Sequence, residues 1–165
     1  MLWPLLARIC AIPSVADWLI ARAQRTPYSP IMSPDGQTLY MGRWWLFNPY
    51  PGAGDERKRW AWLPSVRVHH ICVEDQDRHL HDHPWNARTI ILRGGYDEER
   101  KRGALREYWS GDTASLRFSE FHRIYWVAPG GAWTLFITWK YRGTWGFLVN
   151  GVKVPWREYL GVPPK

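Results

Sequence analysis

At 165 residues the chain has the length of one domain, and 45% hydrophobic residues suffice for a buried core. The formal net charge is +7, with 17 arginines against 5 lysines, which suits anionic partners (phosphate, carboxylate or nucleic acid) or a solvated basic surface. Two cysteines, Cys10 and Cys72, exclude a disulfide framework and lack the spacing of a zinc ribbon, which points to a reducing, cytoplasmic setting.

The first ten residues are apolar but broken by Pro4 and Arg8, with Pro13 just beyond. They lack the basic start of a signal peptide and are too short to span a bilayer, so they are expected to dock on the domain, with no membrane partner. Ser14 reads as an N-cap, and residues 15–25 as one amphipathic helix ending before Pro27. Beyond it, Pro and Gly punctuate short runs rich in Trp, Tyr, Val, Ile and Thr.

Strands are expected near 38–47, 66–73, 80–83, 88–93, 95–100, 104–109, 121–127, 133–140 and 145–149. Alternation places Trp133, Leu135, Ile137 and Trp139 on one face, and His122, Ile124 and Trp126 on another. Turn signals stand at Pro51-Gly52, Gly94-Gly95, Gly111-Asp112 and Pro129-Gly130-Gly131, and residues 48–59 read as a mobile loop. This pattern predicts an all-β fold, a sandwich or barrel with a jelly roll favoured, carrying one short N-terminal helix. The expected division is an N-terminal helical extension over 1–30, packed on a barrel domain over 31–165. The 13 tryptophans imply an aromatic interior or a stacking surface.

Five of the six histidines lie between positions 69 and 83, and the sixth is His122. In an extended strand residues i and i+2 face the same way, so His81 and His83 can present adjacent imidazoles. A third from a neighbouring strand would close a facial metal site with positions left open. His69 and His70 face opposite ways and cannot both line the barrel; His70 could lend a supporting hydrogen bond. His79 reads as a rim residue.

These residues resemble the cupin family. His81-Asp82-His83 fits the His-x-His of the first cupin motif, and Gly94 or Gly95 its closing glycine. Gly111 and His122 fit the first glycine and the histidine of the second motif. The first glycine of motif one is replaced by Asp75, and its glutamate falls on Ala87 or Arg88. Arg117, Ser119 and Trp126 occupy the Pro, Gly and Asn positions of motif two. A closer likeness is to small bacterial and phage cupin-like proteins, carried by His81 to Trp85, Gly94 to Tyr96, His122, Trp133 to Thr138 and Trp145 to Phe147. The resemblance implies a jelly-roll barrel with a metal in one mouth, held by His81, His83 and His122. A three-His set without the acid is similar to that of thiol dioxygenases, which implies Fe(II) first, with Mn, Ni or Zn as alternatives.

Around this centre, Asp82 should point away from the metal, either orienting a ligand imidazole or making a structural contact. Trp85 either roofs the pocket or packs. Arg88 either clamps a substrate carboxylate or phosphate or faces solvent. Tyr96 and Glu98 share a face; Tyr96 is a candidate hydrogen-bond donor toward the centre, and Glu98 a candidate proton acceptor or fourth ligand. There is no Gly-x-Ser-x-Gly elbow, P-loop or GxGxxG.

Three functions are consistent with these residues. The first is an Fe(II)-dependent dioxygenase or related oxidoreductase on a small anionic substrate. The second is a metal-dependent isomerase, lyase or hydrolase on a sugar or nucleotide, using Lewis acidity. The third is a non-catalytic barrel binding a ligand or nucleic acid, although no nucleic-acid motif is present. The aromatic segment 40–50 could support a homodimer.

Overall fold

Pro13 starts a helix because its fixed φ suits the first turn and its missing N–H has no partner to lose there. In the computed structural model, which describes residues 2–33, 36–50 and 60–163, this helix is the second of two. Helix α1 spans Leu2–Cys10 and α2 spans Pro13–Ala23. The N-cap is therefore Ile12, not Ser14, which lies inside the first turn. The apolar N-terminus coils because Ala7 and its neighbours Trp3 and Cys10 gain a sheet to pack against.

Eleven described strands follow: β1 (Ile31–Met32), β2 (Leu39–Phe47), β3 (Ser65–Ile71), β4 (Trp85–Arg93), β5 (Gly95–Arg100), β6 (Ala104–Trp109), β7 (Thr113–Leu116), β8 (His122–Val127), β9 (Ala132–Tyr141), β10 (Gly146–Val149) and β11 (Val152–Pro155). A one-turn helix α3 (Trp156–Tyr159) ends the described chain. The strands form a six-stranded antiparallel sheet in the order β1-β2-β3-β9-β4-β7. A three-stranded sheet β6-β5-β8 and a hairpin β10-β11 stand apart from it. His81 makes isolated bridges to both His122 and Phe147, joining these two small sheets.

The large sheet is covered on both faces, so its central strand β4 carries buried apolar side chains on both of them. Ile90, Ile91 and Leu92 are consecutive and all fully buried. Ile90 and Leu92 pack with Leu135, Ile137, Leu19 and Ile20 beneath the helices, and Ile91 packs with Ile71, Tyr96 and Ile124 on the inner face. Each such aliphatic side chain contributes about 1.5–3 kcal/mol by leaving water. The face expected for Trp133, Leu135, Ile137 and Trp139 is the helix-covered one.

Three expectations differ. Residues 80–83 are not a regular strand: His81 alone among them makes isolated bridges. Trp126 does not share the face of His122 and Ile124, because a register shift opposite Asp97 and Glu98 puts an extra residue into β8 and breaks the alternation, leaving Trp126 outward and Val127 inward. Segment 40–50 is mostly spent inside: Tyr50 and Met41 are buried, and Trp44 stacks on Trp133. The mobile loop expected over 48–59 lies largely outside the described residues.

Gly94 is the corner that carries the chain from the large sheet into β5. Its φ is +67°, and a Cβ there would stand 2.1 Å from the carbonyl oxygen of Gly131. Only glycine fits both the dihedral and the close approach. This corner swings Tyr96 and Glu98 across to the wall facing the sheet.

Candidate metal centre

The backbone sets the three histidines side by side. His81 N–H donates to His122 O (2.8 Å), and His122 N–H donates back to His81 O (2.9 Å). Asp82 N–H donates to Gly146 O, and Leu148 N–H to Leu80 O. A short segment is thus pinned between β8 and β10, which aims His81 and His83 into the space between the sheets.

Ligand atoms of His81, His83 and His122 all lie within 4.8 Å of one another, the one such group among the described residues. Ring centroids are separated by 4.8 Å (His81–His122), 5.1 Å (His83–His122) and 5.2 Å (His81–His83). The Nε2 atoms of His83 and His122 are 3.0 Å apart. Two nitrogens each about 2.0–2.1 Å from one ion stand roughly this far apart, so the pair fits a shared divalent cation. His81 Nδ1 is buried without a hydrogen-bond partner among the described residues.

Electrostatics favour ligation. Burial holds the His83 imidazole well below its ordinary pKa, reinforced by His122 and His81. Burial does the same for His122, with further lowering from His81, an opposing pull from Asp75 and a lesser lowering from Arg100. Both rings are neutral at pH 7, the form that binds metal. His122 Nδ1 donates to Glu98 Oε1 at 2.5 Å, which turns its Nε2 toward the cluster. Glu98 Oε2 accepts from Arg100 Nε at 2.8 Å, and Arg100 also pairs with Glu120. Burial raises the Glu98 carboxyl against the pull of Arg100.

The other expected residues divide. Trp85 lines the cavity, its ring stacked on His83 at 5.4 Å. Tyr96 is buried on the cavity wall, and its phenol is raised by burial and by Glu98. Both oxygens of Glu98 are engaged, so it stands behind His122. Arg88 faces away from the centre: its guanidinium lies 4.6 Å from the Trp3 ring and donates to Thr113 Oγ1. Strand parity explains this, since its neighbour Thr89 takes the inward position. Asp82 is fully buried and makes a structural contact, accepting from Gly146 N–H (2.7 Å) and Lys153 Nζ (2.5 Å). His79 pairs with the Tyr159 hydroxyl, and His70 with Gly130 O while stacking on Trp133.

A cavity of about 1090 Å³ opens beside the trio. Sequence reasoning missed several of its residues. Asp75, noted only as a departure from the first cupin motif, has Oδ2 3.8 Å from His81 Nδ1 and accepts from Ile124 N–H. Tyr40 donates a short hydrogen bond to Asp75 Oδ1, and burial and Asp75 raise its phenol. His69 also faces the cavity, a position that alternation along Arg67, His69 and Ile71 signals.

No protein-family model and no curated protein matches the sequence. Solved structures do match. The DMSP lyase DddQ from Ruegeria pomeroyi aligns with a TM-score of 0.56 and 14% identity, over 88% of this chain and 68% of that one. Fe(II) HppE aligns at 0.53 and 13% identity, over 70% of this chain, which spans little more than half (57%) of the HppE chain. A cupin 2 conserved barrel domain protein from Rhodopseudomonas palustris aligns at 0.52 and 14%, over 75% and 78%. Identities this low speak to the fold alone. On that likeness the chain has a cupin-type β-barrel fold, and its sheets enclose a three-histidine cluster.

Proposed function

We propose that this protein is a metal-dependent cupin enzyme, an Fe(II)-dependent dioxygenase or related oxidoreductase acting on a small anionic substrate. The convergence of His81, His83 and His122 beside a large cavity carries this reading. Three neutral imidazoles leave the full charge of a divalent ion uncancelled, which favours an anionic ligand at the open positions. Iron held there would supply a redox-active Lewis acid; Mn, Ni or Zn would supply the Lewis acidity and a different redox range.

The chain's own groups have separable tasks. Glu98 keeps the His122 proton on Nδ1 and its Nε2 free. Trp85 and Phe136, 6.2 Å apart, wall His83 from water. Tyr96 lines the cavity beside Thr89, its hydroxyl protonated across the physiological range, and in this reading it donates a hydrogen bond toward the substrate.

Metal analysis of the purified protein, followed by oxygen-uptake assays with thiols and 2-oxoacids, tests the proposal. Stoichiometric iron and substrate-dependent oxygen consumption are expected. A folded protein that is active without metal would refute it. A second reading, a lyase or isomerase using the ion only as a Lewis acid, is favoured by the Tyr40–Asp75 pair, which offers a proton-transfer couple beside His81. Turnover with Zn(II) in the absence of oxygen would select it.

A further inference from the structure

The inner face of the large sheet carries a row of polar groups that the metal centre does not use. His69 on β3 is the direct cross-strand neighbour of Arg43 on β2 on one side and of Thr134 on β9 on the other. All three line the cavity. Side chains paired in this way stand about 5 Å apart at Cβ, close enough to share one small ligand group.

Each member lacks a full partner. His69 Nε2 and Thr134 Oγ1 are buried with no hydrogen-bond partner among the described residues. Burying such atoms without compensation is unfavourable, so a ligand that bonds to them is favoured. Arg43 donates to the carbonyl and hydroxyl oxygens of Ser29, but no carboxylate pairs with it among the described residues. Burial and the neighbouring Arg67 lower its pKa to about 10, so it remains charged at pH 7. The Arg67 guanidinium lies on the same wall, 3.9 Å from the Trp45 ring and 4.8 Å from that of Tyr50. His69 is held neutral by burial and by both arginines, and a neutral imidazole can present Nε2–H as a donor.

The donor types agree: a guanidinium fork, a hydroxyl and an imidazole N–H all address oxygen acceptors bearing negative charge. The row is also within reach of the histidine trio. Phe136 contacts both, its ring 4.9 Å from His69 and 6.0 Å from His83.

We infer that Arg43, His69 and Thr134 form a subsite for an oxyanion tail, carboxylate or phosphonate, of a small substrate whose other end reaches the three-histidine centre. This deepens the proposed function and rests on it for the second half only. Arg43 supplies the charge, His69 and Thr134 fix the orientation, and Phe136 covers the apolar stretch between.

The test uses the full-length, metal-free protein and tryptophan fluorescence, since Trp44, Trp45 and Trp85 line the cavity. The probes are benzoate, methylphosphonate and uncharged benzamide. At least one oxyanion should bind about tenfold or more tightly than benzamide, and comparison of the two identifies the tail. Arg43→Gln should abolish that preference, Arg43→Lys should restore part of it, and Thr134→Val should weaken oxyanion binding several-fold. Circular dichroism checks that each variant is folded; if Arg43→Gln does not fold, Arg43→Lys and Thr134→Val decide. Equal binding of benzoate, methylphosphonate and benzamide, or an unchanged preference in the folded Arg43 and Thr134 variants, would overturn the subsite. The His81→Ala/His83→Ala double variant should still bind the oxyanion. Failure of metal binding in the wild type would therefore refute the enzymatic reading and leave this site standing.

Discussion

Glu98 accepts the Nδ1 proton of His122 at 2.5 Å from a strand 24 residues earlier in the chain. The two residues meet because Gly94 turns β5 out of the large sheet and lays it beside β8. Arg100 holds the far oxygen of the same carboxylate, so the imidazole is oriented by a braced acid. Metal sites commonly depend on such outer partners.

Glu98→Gln should therefore weaken metal affinity roughly 10- to 100-fold while leaving the barrel folded. Competition titration with a chromogenic chelator measures this. Unchanged affinity would separate Glu98 from the centre.

Replacing any one of His81, His83 or His122 by Ala should reduce metal to well below one equivalent, because two neutral imidazoles hold a divalent ion poorly. His79→Ala and His70→Ala should not, since those rings pair with Tyr159 and Gly130. Elemental analysis of the five variants distinguishes the groups.

The metal-free protein should lose stability as pH falls below about 6.5, the ordinary histidine value. His69, His83 and His122 all have lowered pKa values in the folded state. The unfolded chain takes up protons first in that window, so protonation favours unfolding. The raised carboxyls of Glu98, Asp77 and Asp97 act in the opposite sense, retaining their protons when folded, but they start from the lower carboxylate range, so the three histidines dominate this window. Thermal melts from pH 7.5 to 5 should show a falling Tm, with a shallower slope in His69→Gln. A Tm that is flat or rises on acidification would contradict the assignment.

Gly94→Ala should destabilise the fold by roughly 2–4 kcal/mol, since the left-handed backbone and the Gly131 carbonyl both oppose a Cβ. Gly103→Ala, also at positive φ but with open space around it, should cost about 1 kcal/mol. Chemical denaturation of both variants checks the difference.

Asp82→Asn should loosen the segment carrying two of the histidines, because Asn offers one acceptor where Asp82 receives both Gly146 N–H and Lys153. About 1–3 kcal/mol of stability should be lost, and metal affinity with it. Denaturant midpoints and the same chelator titration report the two effects.

Most of the strand pattern follows from sequence alone, because period-two alternation and Pro and Gly punctuation are local signals. The histidine trio was also legible, since His81 and His83 sit at strand spacing and the cupin resemblance supplies His122. Helix α1 was not, because Leu2–Cys10 coils against a sheet formed far along the chain. Arg88 could not be oriented without knowing which residues of β4 face inward. The partner of His122 likewise depended on the register of β5 against β8, a long-range pairing with no sequence signature. Asp75, Tyr40, and the row of Arg43, His69 and Thr134 come together from three strands and a loop. Local chemistry thus determined which residues could bind a metal, whereas strand order and register decided what surrounds it, because contacts between distant segments arise only when the sheets close.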